Sequence, residues 1–141
     1  MTKILIINGA NLNLLGMREP QIYGNISFES FFQSMQVEFP EVELAYFQSN
    51  SEGTIIDKIQ EANSAFDGVI LNAGAYAHTS IAIADAVRAV QIFVIEVHIS
   101  NIFAREPYRR HSFIAQAASG VISGFGLNSY RLAILALISN Q

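Results

Sequence analysis

The strongest constraint on this chain is its alternation of short aliphatic runs with stretches of helical period. The runs are I-L-I-I at 4–7, V-E-L-A-Y-F-Q at 42–48, G-V-I-L-N at 68–72, I-F-V-I-E-V-H at 92–98 and G-V-I-S at 120–123. Each has the length of a strand and is bounded by polar or turn-forming residues. Between the first two, Ser27 is placed to cap a helix reaching about 39, with Phe28, Phe31, Phe32 and Met35 on its apolar face and Pro40 just beyond. Asn50 or Ser51 opens a second helix over 52–65, where Ile55, Ile56, Ile59 and Ala62 repeat at helical spacing. Thr79 or Ser80 opens a third to about 90. A short helix is expected over 112–118 and a last one over 128–138.

Near-continuous apolar strands separated by helices belong to a parallel sheet covered on both faces. The pattern predicts one α/β domain over residues 1–141. Its expected form is a flavodoxin-like, doubly wound five-stranded parallel sheet of order 2-1-3-4-5, helices on both faces. Ligands of such sheets bind beyond the carboxyl ends of the strands, where strand order reverses. Here that crevice falls between strands one and three, with strand four alongside.

The one long stretch without rhythm follows strand one: N-G-A-N-L-N-L-L-G-M-R-E-P-Q-I-Y-G at 8–24. A connection of this length inside a domain is usually a lid or binding loop, here about 9–25. Asn8, Asn11 and Asn13 offer amides, Arg18 a fixed cation and Tyr23 a phenol, while Gly9, Gly16 and Gly24 give hinge freedom. Leu12, Leu14, Leu15 and Ile22 need something to pack on, which a linker would not provide.

Two further segments deliver polar side chains to the same edge. After strand three stands N-A-G-A-Y-A-H-T-S, with Asn72 and His78; strand four ends E-V-H-I-S-N, with Glu96, His98, Ser100 and Asn101. Structural roles are open to each. Asn8 and Asn72 are placed as turn formers or caps, Tyr23 as lid packing, Arg110 as a surface residue, and His111 as a structural histidine or a surface residue. Glu96 and His98, two apart on a strand, share a face. With His78 they read either as metal ligands or as a carboxylate orienting an imidazole; the lack of a fourth ligand favours the second. The case for a site rests on convergence.

Charge narrows the ligand. The net charge is −4, with eight Lys plus Arg, so a broad nucleic-acid surface is not expected. Four of those cations lie in two loops, Arg18 in one and Arg105, Arg109 and Arg110 in the other, which points to a small anion. The chain is 51% hydrophobic and 14% charged, apolar enough to predict buried surface between subunits. No run approaches a membrane span. The opening residues are too short for a signal peptide, and the absence of cysteine suits a cytoplasmic protein. Both strand-end positions that a phospho-acceptor would need acidic are Asn. G-x-x-x-x-G-K-[ST], G-x-G-x-x-G and G-x-S-x-G are all missing. Lys3 and Lys58 are misplaced for a Schiff base.

Four spaced motifs carry a resemblance: N-G-A-N-L-N-L-L-G-x-R-E-P-x-x-Y-G, L-N-A-G-A-Y-x-H-T-S-x-A-I-x-D-A, V-I-E-V-H-I-S-N and R-E-x-Y-R-R-H-S. Together they resemble type II 3-dehydroquinate dehydratase, nearly end to end. The resemblance implies removal of water from 3-dehydroquinate to give 3-dehydroshikimate in the shikimate pathway. It implies no metal or organic cofactor, and a dodecamer of four trimers. By motif, Tyr23 is similar to the base that forms an enolate, Arg18 to the lid cation that activates it, and Asn11 to the residue holding a water against the enolate oxygen. His98 is similar to the acid for the leaving hydroxyl, oriented by Glu96. Asn72, His78, Ile99, Ser100 and Arg109 match substrate-binding positions, and Asp85 a residue that reaches the neighbouring subunit's site. Departures are Phe103 where a histidine is expected, Ala77 for Thr, and Asn128 and Ser129 for Gln-Gly. The alternative reading is a flavodoxin-like binding protein for a small anion.

Elementary chemistry agrees with these roles. A free tyrosine ionises near pH 10, so acting as base at pH 7 costs about 4 kcal/mol unless a neighbour stabilises the phenolate. A lid arginine supplies that neighbour.

Overall fold

Strand β1 (Thr2–Asn8) is the spine of the molecule, paired in parallel with β2 (Val42–Gln48) on one side and β3 (Gly68–Asn72) on the other. β4 (Phe93–His98) and β5 (Gly120–Ser123) extend the sheet, giving the order β2-β1-β3-β4-β5. The computed structural model describes residues 1–16 and 26–140. Side chains of β1 alternate between two cores, as the two-residue period of a strand requires. Ile4 and Ile6 meet α1 (Phe28–Glu38) and α4 (Asn128–Ser139) through Phe28, Met35, Tyr130 and Ile134. Leu5 and Ile7 meet α2 (Glu52–Ala65) and α3 (Ile81–Ala89) through Ile55, Ile59, Ile83 and Val87. All four residues are at most 2% exposed, and each contributes roughly 1.5–3 kcal/mol by leaving water.

Ser27, Ser51 and Ser80 cap α1, α2 and α3 by accepting from Ser30, Thr54 and Ile83 N–H. The Ser80 hydroxyl then donates to Glu52, which ties the starts of α2 and α3 together. The strands and these four helices stand where the sequence places them, within a residue or two.

Three readings change. Residues 112–118 are turns, not a helix: Ser112 accepts from Ala115 N–H, while Ile114 C=O takes both Ala117 and Ala118 N–H. The Ser112 contact is of the capping kind, but so short a segment adds too few further hydrogen bonds to offset the cost of helix nucleation. A helix-covered sheet does not use every apolar residue of its third helix: Ile81 on α3 is 58% exposed. The connection after β1 is not wholly irregular, since Leu12–Leu14 form a 3-10 turn, as do Gly74–His78, Ile102–Ala104 and Pro107–Arg109. No helix among the described residues is long and apolar enough to cross a membrane.

The loops leaving β1 and β3 lie backbone against backbone. Gly9 N–H donates to Asn72 C=O at 2.7 Å. A Cβ on Gly9 would meet Ala73 O at 2.4 Å, and one on Gly74 would meet Ala10 O at 2.7 Å. Gly74 also has φ +64°. Gly9 therefore serves close approach rather than the hinge freedom expected of it.

Candidate active site

β1 and β3 end in register at Asn8 and Asn72, both buried. The fully buried Tyr130 of α4 joins them: its hydroxyl donates to Asn8 Oδ1 at 2.7 Å and accepts from Asn72 Nδ2 at 2.8 Å. Burial pushes the Tyr130 phenol well up, so it stays a neutral donor. Asn72 Oδ1 accepts from Gly74 N–H at 3.1 Å, so the amide of Asn72, a residue that lines the cleft, has one N–H beyond these bonds. Tyr130 has no local signal in the sequence; its partners lie 122 and 58 positions away.

β4 supplies the second wall. Glu96 and His98 share a face and are buried, with His98 Nε2 2.6 Å from Glu96 Oε2. Ser112 Oγ donates to the same oxygen at 2.6 Å. Because Ser112 Oγ already accepts from Ala115 N–H, its own proton is directed at the carboxylate. The row therefore runs Ala115 N–H to Ser112 O–H to Glu96 Oε2, with His98 Nε2–H meeting that oxygen from the other side. His98 keeps Nδ1 for a ligand. Sequence reasoning missed Ser112, although it closes the R-E-x-Y-R-R-H-S motif.

His78 stacks on His98 with ring centroids 6.0 Å apart. Its Nδ1 lies 2.8 Å from His111 C=O, which can only accept, so Nδ1 carries the proton and Nε2 is left as an acceptor. Burial first, and then nearby His98 and Arg109, lower the His78 pKa, against the opposing pull of the His111 carbonyl; the ring is neutral at pH 7. His111 thus acts through its backbone, while its ring packs edge-on against Phe113.

The remaining wall is cationic. Arg105 Nη1 reaches Ser100 Oγ at 3.4 Å, and Arg105 and Arg109 both pair with Glu106. Hydrogen bonds from Tyr108, from backbone and from Arg109 pull the Glu106 carboxyl down to about 2, so it is a fixed anion bracing both arginines. Both line the cleft together with Asn11, Asn72, His78, His98, Ile99 and Ser100. Arg110 is exposed, as its surface reading expects. Asp85 does not line its own chain's cleft; it stands exposed on α3, paired with Arg88 at 3.3 Å. Arg18 and Tyr23 lie outside the described residues. Glu96, His98 and His78 do not compose a ligand set, because Glu96 Oε2 and His98 Nε2 face each other; among the described residues no three His, Asp or Glu side chains are placed to hold a metal.

The arrangement offers N–H donors, two guanidinium groups, a neutral imidazole and a carboxylate-backed imidazole around one small polar space. That set suits an anion and a proton transfer. Comparison with known proteins points the same way. The chain is 51% identical to the 3-dehydroquinate dehydratase of Clostridium botulinum, over 99% of this chain and 97% of that protein. A type II dehydroquinase structure from Butyrivibrio crossotus superposes with TM-score 0.94 at 47% identity, covering 97% of each chain. Another from Propionibacterium acnes gives TM-score 0.95 at 38% identity, covering 99% and 98%. Residues 2–138 match the sequence profile of dehydroquinase class II, and with that match over nearly its whole length the chain belongs to the class II dehydroquinase family.

Proposed function

We propose that this protein is a 3-dehydroquinate dehydratase, a hydro-lyase that removes water from 3-dehydroquinate by anti elimination through an enolate. The observation that carries this reading is the buried hydrogen-bonded row of Ser112, Glu96 and His98, whose last member lines a cleft together with Asn72, His78 and Arg109. Tyr23, activated by Arg18, takes a proton from the carbon beside the ketone. The electron pair moves into the enolate, and Asn11 holds a water against the developing oxyanion. As the enolate collapses, the carbon–oxygen bond at the β-carbon breaks and His98 gives its Nδ1 proton to the departing hydroxyl. The products are the conjugated enone and one water. Tyr23 ends protonated and His98 neutral, and proton exchange with solvent resets both.

Glu96 supports the charged imidazole through Nε2 and leaves Nδ1 for the transfer. The substrate carboxylate is held by the Asn72 amide and the backbone at Ile99 and Ser100, a pairing suited to an anion. His78 Nε2 accepts from a substrate hydroxyl, and Arg109, braced by Glu106, fixes the same end. The assembly we assign is a dodecamer of four trimers acting in the cytoplasm, on the shikimate pathway. Support for shared sites comes from Asp85, an exposed carboxylate on α3 that pairs within its own chain only with Arg88 among the described residues and has an oxygen to offer an arginine of a neighbour's lid.

Incubating the purified protein with 3-dehydroquinate should produce the ultraviolet absorbance of the conjugated enone. No absorbance change from correctly folded protein would overturn the reading. The small-anion binding alternative predicts binding without that absorbance, and nothing in the comparisons favours it.

A further inference from the structure

We propose that Asn50, on the loop between β2 and α2, is a positioning residue for Asn11, holding it in the backbone conformation that presents its amide to the cleft. The inference rests on the reading of Asn11 given above and extends it to a residue with no assigned part.

Asn11 sits at φ +68°, ψ +1°, and is the one non-glycine residue with positive φ among those described. Asn enters this region more readily than other non-glycine residues, but it is still sparsely populated, and a contact that holds it there fixes where the side chain is presented. The enforcing contact is visible. Asn11 N–H donates to Asn50 Oδ1 at 2.9 Å, and Gln48 Nε2 donates to the same oxygen at 3.1 Å. Two N–H donors on one atom fix the Asn50 amide orientation, since only its carbonyl oxygen can accept them. Gln48 Nε2 also reaches Gly9 C=O at 3.2 Å, so the residues on either side of Ala10 are held from the end of β2 and the loop that follows it. Asn50 itself is anchored, because Tyr76 O–H donates to its backbone carbonyl at 2.7 Å from the turn that ends in His78. Three loops thus meet at Asn50.

The Asn11 side chain makes no hydrogen bond among the described residues and lines the cleft, leaving it free for a ligand. Removing Asn50 Oδ1 would leave the loop attached, since Ser49 N–H still donates to Asn8 C=O and Tyr76 still holds the Asn50 backbone. What it would release is Asn11.

The test compares Asn50→Ala, Asn50→Asp, Asn11→Ala and the double variant Asn11→Ala/Asn50→Ala. Asn50→Ala should lower kcat about tenfold with KM within about threefold, because the positioned water acts on charge that develops only in the transition state. Asn50→Asp, which keeps the acceptor oxygen, should recover kcat to within about threefold of the unaltered enzyme. In the Asn11→Ala background, Asn50→Ala should cost nothing further, since residues acting through one another are non-additive. A second tenfold loss in that background would overturn the proposal. Amide hydrogen exchange supplies a readout independent of turnover: Asn11 N–H should exchange about tenfold faster in Asn50→Ala than in the unaltered chain. Unchanged exchange would overturn the clamp. A protected Asn11 amide in a protein with no 3-dehydroquinate turnover would instead overturn the functional reading and leave the clamp standing.

Discussion

At the scale of single residues, the site assigns one task to each ring. His98 is backed by a carboxylate and His78 by a carbonyl, and on this difference rest the roles we propose for them, proton donor and hydrogen-bond acceptor. The base must then come from elsewhere, and Tyr23 is the residue we assign. Tyr23→Phe should reduce turnover by at least a thousandfold, on the order of what loss of a reacting group costs, while an enolate-mimicking inhibitor still binds within a few-fold. Steady-state kinetics beside calorimetric titration of the inhibitor would test this; substantial residual kcat would remove Tyr23 from the role.

At the scale of elements, the site depends on two loops pressed together without side chains between them. Gly74→Ala introduces both a strained φ and a Cβ 2.7 Å from Ala10 O. It should lower stability by about 2–4 kcal/mol, the sum of a left-handed backbone cost and a forced separation. Denaturant unfolding would read this as a lower midpoint. Gly53→Ala, where nothing lies within 4 Å, is the control and should leave the midpoint unchanged or slightly higher. These elements also mark what the sequence made legible. Strands announced themselves as short continuous apolar runs, buried on both faces, and helices by burial that repeats every three to four residues. The 3-10 turns at 12–14 and 74–78 are too short to carry a period. Tyr130 and Asn50 act through partners remote in sequence, which no local pattern encodes. Asn8 and Asn72 were readable as strand ends, but their shared phenol was not.

At the scale of the whole molecule, the outward Asp85 predicts that activity depends on assembly. Asp85→Ala should reduce both oligomer size and kcat/KM, because a partly buried charge pair across an interface loses several kcal/mol when one partner is removed. Glu61→Ala, which alters only an exposed pair with Lys58, should change neither. Light scattering with specific activity across a dilution series is the measurement, and a fully active monomer would sink the idea. The Tyr130 contact with Asn8 has a different consequence, one of timing. During synthesis β1, an inner strand of the sheet, is made well before the phenol that its last residue meets, which lies 122 positions later. A ribosome-bound chain can assemble most of the sheet before then, but its cleft stays unset until α4 has left the exit tunnel and docked. Deleting α4 should therefore leave a chain bearing His98 and Glu96 whose two strand-end amides have lost the phenol they share, each keeping only its own contact, Asn8 with Tyr46 and Asn72 with Gly74 N–H.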